Sequence, residues 1–473
     1  MIKNYLLLFS LILAISAVSA QQLVLKKGVV IDSLVVNDSI PQETFSLFLP
    51  TSFETNKKWP ILMLLDLKGK ERKGLSLFLA AAEAEGFVLA APNNLSDSLS
   101  LSKNMLHLGN SLNKIYTLLP IDKERIYTTG FDTGAQFASL TPLFIKGVDG
   151  VVAIGAGLPN VELLSTKNRF QFIGLVARED FSFRDLIHSR KVLNQLKFDN
   201  QLILFDAENK LPRQVHLEQA MKWLKLSSMA KGSLPKDSVF VQNALKLDGE
   251  KVAKLVDIKK FLLAEHLLGE MHRVYRHHIN TDSIRSVRKS LRKRKDYKNQ
   301  KRSQNSIFFK ENLLREDYQY YLEEDVLTYN FNNLGWWNYQ MQELNKFLNS
   351  KNFFERQMGS RLIHYINTLA EDDINSLKAE EKIDEDALTF LWMLKTITDP
   401  KNADYYLKVV SVSAKNEDFG TALFYLEELL KTGFKDKERL YQLEHTALFR
   451  ITPEFNNTVS KYLKDARYEV IEE

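Results

Sequence analysis

The chain of 473 residues contains no cysteine. That absence excludes disulfide staples, thiolate metal sites, a cysteine nucleophile and a lipid anchor on a cysteine behind a signal segment. It also suits an oxidising compartment, where no free thiol is left to mispair. Beyond the first twenty residues no stretch reaches about 18 uninterrupted apolar residues, the length a helix needs to cross a bilayer. Positive charge is scarce outside one place. The formal net charge is +5, yet segment 285–302, which opens with Arg285 and closes with Arg302, holds ten Lys/Arg against one acid, Asp296. The rest of the chain is therefore slightly acidic. What is present is globular: 45% hydrophobic and 26% charged residues bury cores rather than leave a disordered chain, and the length suits two or three domains.

The N-terminus reads as an address. Lys3 supplies a positive start, an apolar run covers 6–18, and Val18-Ser19-Ala20 offers the small residues that a signal peptidase accepts. The run is short for a membrane span and Gln21-Gln22 follow at once, which favours a cleavable signal peptide over 1–20 rather than an anchor. The expectation is an exported, soluble mature chain, periplasmic or associated with the outer membrane.

From 21 to 232 short apolar runs alternate with amphipathic stretches. Runs at 44–49, 60–66, 86–92, 125–130, 150–155, 170–176 and 201–205 have strand length, and most are continuously apolar, as in a sheet covered on both faces. Helical spacings lie between them at 75–85, 102–119, 134–144, 183–196 and 214–225. This grammar predicts a three-layer α/β domain with a mostly parallel sheet.

One junction is specific. Arg125-Ile126-Tyr127-Thr128-Thr129-Gly130-Phe131-Asp132-Thr133-Gly134-Ala135 reads as a strand, a tight glycine-flanked turn and a helix. Such a turn exposes the residue between the glycines, the context of a nucleophile elbow. On these residues the chain resembles the α/β-hydrolases, and among them the secreted feruloyl-esterase and polyhydroxyalkanoate-depolymerase-like branch. The apolar run ending at Asp66 fits the strand before the oxyanion loop, and Asp66-Leu67-Lys68-Gly69 fits the loop itself. Pro92-Asn93-Asn94, Pro120-Ile121-Asp122-Lys123-Glu124-Arg125-Ile126-Tyr127 and Gly155-Ala156-Gly157-Leu158-Pro159 also fit. The resemblance covers 21–232 and implies a three-layer α/β-hydrolase fold.

The residues do not support the chemistry that the resemblance implies. The family's elbow is Gly-x-Ser-x-Gly, and here Asp132 stands where serine should be. Its acid lies in a segment like Val176-Ala177-Arg178-Glu179-Asp180-Phe181, which gives Asp180 that place. Its histidine follows the last strand shortly before a proline, and Phe205-Asp206-Ala207-Glu208-Asn209-Lys210-Leu211-Pro212 puts Asn209 there. Serine attack needs a base that takes and returns a proton near neutral pH, and an amide cannot. The oxyanion-loop positions, Asp66 and Leu67, also lack the usual His-Gly pair. No catalytic site, cofactor or metal is therefore expected. An aspartate nucleophile, as in dehalogenases and epoxide hydrolases, would still need a histidine to activate water. His107, His188 and His216 all fall in helical spacings, and His216 is expected on a solvated face. Asp66, Asp132, Asp180 and Asn209 could offer hard oxygen ligands to a cation, but merely solvated or hydrogen-bonded carboxylates are the favoured reading.

After 232 the grammar turns helical. A helical linker region over 233–310 carries the basic segment, and an all-α domain resembling tetratricopeptide repeats follows over 311–473. Amphipathic patterns cover 252–278, 311–329, 338–349, 352–368 and 385–397. The helix beginning Asp418-Phe419-Gly420-Thr421-Ala422 resembles the second helix of a tetratricopeptide repeat, with Phe419, Ala422 and Leu426 in fitting places and 403–414 as its partner. No 34-residue period is visible, so a helical bundle remains the alternative to a repeat. In the basic segment Ile284, Val287 and Leu291 recur at helical spacing. It reads either as a basic amphipathic helix or as a solvated loop. The acidic stretch Glu371-Asp372-Asp373, Glu380-Glu381 and Asp384-Glu385-Asp386 could neutralise it. The aromatic cluster Tyr329, Phe331, Trp336, Trp337 and Tyr339 suggests either a core anchor or a binding surface, and the core is the favoured reading.

The preferred function is a non-catalytic hydrolase-fold protein of the cell envelope, an interaction or scaffold subunit whose partners are other envelope proteins, in particular an outer-membrane complex. A secreted ester or carbohydrate-ester hydrolase with an aspartate nucleophile is one alternative. A binding protein that keeps the old cleft without turnover is the other. Nucleic acid is not expected as the partner of an exported chain, and membrane association would be indirect or through 285–302.

Overall fold

The computed structural model describes residues 25–166, 168–206 and 211–464. The expected signal peptide over 1–20 and the triad position Asn209 lie outside them. The first part alternates strand and helix: β1 (Val30–Asn37), β2 (Ile40–Phe48), β3 (Trp59–Leu65), α1 (Glu71–Glu85), β4 (Val88–Pro92), α2 (Leu101–Leu118), β5 (Ile121–Phe131), α3 (Thr133–Phe144), β6 (Val148–Ile154), β7 (Gln171–Ala177), α4 (Phe183–Gln195), β8 (Asn200–Phe205) and α5 (Gln214–Lys231). The strands form one sheet in the order β1-β2-β4-β3-β5-β6-β7-β8. The β1–β2 and β2–β4 pairs are antiparallel, and all others are parallel. This is the three-layer α/β-hydrolase fold.

The sequence builds it in a direct way. β3 is buried along its whole length, and its side chains divide by parity between two cores. Leu62 and Leu64 face a layer formed with α1 and α5, whereas Ile61, Met63 and Leu65 face one formed with α2, α3 and α4. Each fully buried aliphatic side chain contributes about 1.5–3 kcal/mol relative to exposure, so a one-residue slip in register would invert both faces at once. The one strand absent from the sequence reading is β1. Its register shifts between Ile31 and Leu34, and Ser33 there has φ 57°. That irregularity breaks the two-residue alternation that would have announced it.

Segment 233–310, expected as a helical linker region, is packed against the sheet. It holds α6 (Ser238–Asp257), α7 (Phe261–Tyr275), α8 (Asp282–Lys293) and the start of α9 (Lys295–Thr328). Val241, Ala244, Val252, Phe261, Ala264, Leu268, Met271, Val274, Tyr275, Ile284 and Leu291 share one buried cluster with the sheet. The single helix expected over 252–278 is two, because Lys259 enters the left-handed region at φ 58°. The amide of Lys260 donates to Leu255 O (2.8 Å) and that of Lys259 to Val256 O (3.0 Å), a helix stop in which lysine takes the place usual for glycine. No glycine or proline marks the break, so no sequence signal announced it.

The basic segment forms α8 and the first turns of α9, so it takes the helical alternative. Ile284 and Leu291 are buried, but Val287 is 53% exposed, which corrects the expected three-residue stripe. Its charge is met by α7: Arg288 and Arg292 both contact Glu265, and Arg294 lies over the Phe261 ring at 4.6 Å. The acidic stretch finds other partners, with Glu371 contacting Lys395, Glu385 contacting Lys415 and Asp384 accepting from Tyr329.

The remaining helices are α10 (Leu334–Leu348), α11 (Phe353–Lys378), α12 (Glu385–Thr398), α13 (Ala403–Lys415), α14 (Phe419–Lys431), α15 (Lys437–Tyr441), α16 (Ala447–Arg450) and α17 (Pro453–Leu463). Of the aromatic cluster only Trp337 is fully buried, its indole N–H donating to Asp325 Oδ2 at 2.8 Å. Tyr329, Phe331 and Tyr339 are exposed, which corrects their expected place in the core. α13 and α14 form a helical hairpin closed on Val409, Val410, Ala422 and Leu426. No described helix is long and apolar enough to cross a membrane.

Candidate functional site

The parallel strands bring the family's functional loops to one edge of the sheet. At the end of β5, Asp132 is exposed with φ 48° and ψ −114°, a conformation that a residue other than glycine holds only when its surroundings impose it. The surroundings do so. A Cβ on Gly130 would lie 2.4 Å from the Gly134 carbonyl carbon, and one on Gly134 would lie 2.2 Å from Leu65 O. The Asp132 amide donates to Ile154 O at 2.9 Å, while its carbonyl accepts from Ala135 and Gln136 to open α3. Its carboxylate abuts Gly155, where a Cβ would come within 2.8 Å of Oδ1. The elbow's backbone is thus complete, and it presents a carboxylate.

The neighbouring oxyanion-loop position also carries a carboxylate. Asp66 follows β3, whose Leu65 pairs with Gly130 of β5, so the two acids end adjacent strands. Asp66 Oδ1 accepts from the amides of Lys68 (2.7 Å) and Lys70 (3.1 Å). The loop's N–H groups are thereby directed onto its own acid. Leu67 O accepts from Asp97 N at 3.1 Å, fastening the loop to its neighbour. An oxyanion hole works by aiming donors at developing negative charge; two carboxylates at this place oppose such charge.

The loops at the ends of β7 and β8 carry a network of hydrogen bonds and ion pairs. Asp180 is buried, and its Oδ1 accepts from the amide and the hydroxyl of Ser182 at 2.9 and 2.8 Å, tightening the entry to α4. The residues before it hold the helical half. Arg178 Nε donates to Asp206 Oδ1 at 2.7 Å, and Lys260 Nζ reaches Asp206 Oδ2 at the same distance. From α11, Gln357 donates to Glu179 Oε1 (2.7 Å) and Arg361 Nη1 to Arg178 O (2.6 Å). Arg361 also grips Glu311 of α9 through Nε at 2.8 Å and through Nη2, with both side chains almost wholly buried. Its guanidinium lies over the rings of Phe183 and Phe308. Burial pushes the Asp206 carboxyl up, but Arg178 and Lys260 outweigh burial and hold it below the ordinary carboxylate range. None of these partners was expected as functional. Arg178, Glu179 and Asp206 lie inside the motifs read from the sequence, but Glu311 and Arg361 are fifty residues apart and meet only in the tertiary fold.

The histidines singled out from the sequence are each engaged elsewhere or exposed. His216 is not on a solvated face: it stacks on Phe205 at 4.5 Å, and its Nδ1 accepts from the Arg213 amide at 3.1 Å. Burial, helped by Lys251 and Arg213, lowers its pKa to about 4. His107 pairs with the buried Glu43 at 2.8 Å, and His188 is exposed on α4. Among the described residues no three acid or histidine side chains converge as metal ligands. Beside the seam, a cavity of about 500 Å³ opens between Arg178, Lys260, Leu262, Gln300, Lys351 and Phe353. A larger apolar groove of about 760 Å³ runs along the helical half past Ile383, Leu388, Trp392, Leu407 and Lys408.

No protein-family description matches the chain, and no curated protein sequence matches it. Among solved structures it is similar to a thermostable esterase at 15% identity, over 41% of this chain and 62% of that one, with a TM-score of 0.34. It is similar to a truncated carbohydrate esterase from gut microbiota at 11% identity, over 42% of this chain and 96% of that one, TM-score 0.36. Esterase B from Lactobacillus Rhamnosis matches at 12% identity over 49% and 99%, TM-score 0.36. The chain spans 62% of the first of these proteins. The fold assignment rests on the strand order and the elbow, which stand independently of these likenesses.

Proposed function

We propose that this protein is a non-catalytic member of the α/β-hydrolase fold that serves the cell envelope as an interaction or scaffold subunit. The observation that carries the reading is the fate of the β7 and β8 loops. In a working hydrolase those loops deliver the acid and the histidine to the elbow. Here Arg178, Glu179 and Asp206 are occupied in holding α11 and the start of α7, while Asp180 closes on Ser182. The α/β part becomes a platform, and the helical half, with its repeat-like α13–α14 hairpin, is the surface for other envelope proteins. Export by the signal over 1–20 brings the chain to the periplasm or the outer membrane, where attachment is through a partner rather than through the charge of 285–302.

A second reading has one observation in its favour: Asp132 is exposed on an intact elbow, as an aspartate nucleophile must be. It lacks a competent water-activating base, since a histidine with pKa near 4 is a weak one at neutral pH.

Two measurements on the whole protein test the proposal. Hydrolysis of short acyl and feruloyl esters should stay at the buffer level for the native chain and for Asp132→Ser. Recovery with the membrane fraction should survive a wash near 1 M salt, where the Debye length shrinks to about 3 Å. It should fall in Ile383→Asp and Phe424→Asp, which alter exposed apolar residues of the helical half. Hydrolysis abolished by Asp132→Asn would overturn the non-catalytic reading. Recovery lost in salt would move the attachment to the basic segment.

A further inference from the structure

The sheet edge opposite the elbow carries a polar site that the hydrolase resemblance does not account for. β7 begins there at Gln171 and β8 at Asn200. Two cavities, of about 270 and 110 Å³, share Asp199, Gln201 and Arg273 as walls. Lys197 and Arg276 add to the rim of the first, and Gln171 lines the second. The rim of the first thus has three cations against one acid, and Lys231 adds a fourth cation at the second.

The floor is built of buried amides whose orientation is fixed. Asn200 is 3% exposed; its Nδ2 donates to Phe198 O at 2.9 Å and to Asn194 Oδ1 at 3.0 Å. A flipped amide would set oxygen against those two oxygens, so Oδ1 is the free end, and it is buried with no donor among the described residues. Gln171 repeats the pattern. It is 1% exposed, its Nε2 donates to Gln201 Oε1 (3.1 Å) and Trp223 O (3.4 Å), and its Oε1 is likewise buried without a donor. Arg273 is anchored by Asn194 Oδ1 at 2.9 Å, and burial with Arg190 nearby lowers its pKa, a cost that a bound anion would relieve. Buried acceptors without donors are rare in folded proteins, and each calls for a partner.

We propose that this joined cavity binds a small hydroxyl-bearing organic anion, a phosphorylated or carboxylated sugar. The anionic group meets Lys197, Arg273 and Arg276, and hydroxyl groups donate to Asn200 Oδ1 and Gln171 Oε1. An inorganic anion satisfies only the rim, and a neutral sugar only the floor.

Isothermal titration of the whole protein with glucose 6-phosphate, glucuronate, glucose and inorganic phosphate tests this. At least one of the two sugar anions should bind about tenfold more tightly than glucose or inorganic phosphate. Whichever binds more tightly identifies the anionic group as phosphate or carboxylate. Arg273→Gln and the exposed-rim variant Arg276→Gln should each weaken that binding about tenfold, the latter with unchanged thermal unfolding. Gln171→Leu should narrow the gap to inorganic phosphate. Absence of binding by both sugar anions, equal affinity for inorganic phosphate, or indifference to both arginine variants would overturn the proposal.

Discussion

The turn after β5 and the loops after β7 and β8 end strands of one sheet, and they are held in different ways. At the turn, close-packed glycines hold Asp132 exposed in a strained backbone conformation. At the loops, the acid position Asp180 remains, but its neighbours Arg178, Glu179 and Asp206 are committed to the helical half. The difference teaches that elbow geometry persists for a packing reason as well as a chemical one. Gly130 and Gly134 allow β5, β3 and α3 to approach within van der Waals distance of backbone, and that closeness holds the central layer together whatever stands at 132. The outer loops instead contact the helical half through side chains.

The largest expected effect probes the docking side. Arg361→Met should strip the buried Glu311 of its countercharge and cost about 3–5 kcal/mol in chemical denaturation. Adding Glu311→Gln should recover much of the loss, because the pair is replaced together. A single variant as stable as the native chain would show that the seam does not depend on this pair. The elbow side comes next. Gly134→Ala forces a Cβ against Leu65 O and should destabilise by about 3 kcal/mol, at the upper end for overpacking because backbone must move. An unchanged melting temperature would remove the packing explanation for the kept elbow.

The smallest effect concerns the histidine stacked at the end of β8. The unfolded chain takes up a proton on His216 below its ordinary value of 6.5, whereas the folded chain does so only near 4. Protonation therefore favours unfolding, and stability should decline as pH falls from about 6.5 to 4. The loss is about 2 kcal/mol once partial exposure is allowed for. His216→Phe keeps the stack on Phe205 and should flatten that limb in urea titrations at successive pH values. An equally steep limb in the variant would assign the acid sensitivity elsewhere, with Asp206 the next group to test: its depressed pKa gives stability that is present above the ordinary carboxylate range and lost on stronger acidification.

The sequence made seven of the eight strands legible, because continuous apolar runs such as β3 and β7 can hardly be anything else when helices alternate with them. It hid β1, where an irregularity at Ser33 breaks the alternation, and it hid the helix break at Lys259, where lysine does what glycine usually does. The elbow was legible down to its two glycines. The docking network was not: Glu311 and Arg361 look in isolation like ordinary charges on amphipathic helices. The two amides beneath the opposite cavity, Gln171 and Asn200, likewise read only as polar residues at the starts of strands.

By itself the sequence determined the class of fold, the position of the elbow and the absence of serine from it, since these depend on local periodicity and on residues close together in the chain. Only the tertiary structure decided that 238–293 belongs to the core of the α/β layers, that Glu265 rather than the acidic stretch meets the basic run, and that the loop after β7 contacts α11. Each of these is a contact between distant segments. Its free energy is set by burial and by which charge happens to lie opposite, and local pattern carries no record of either.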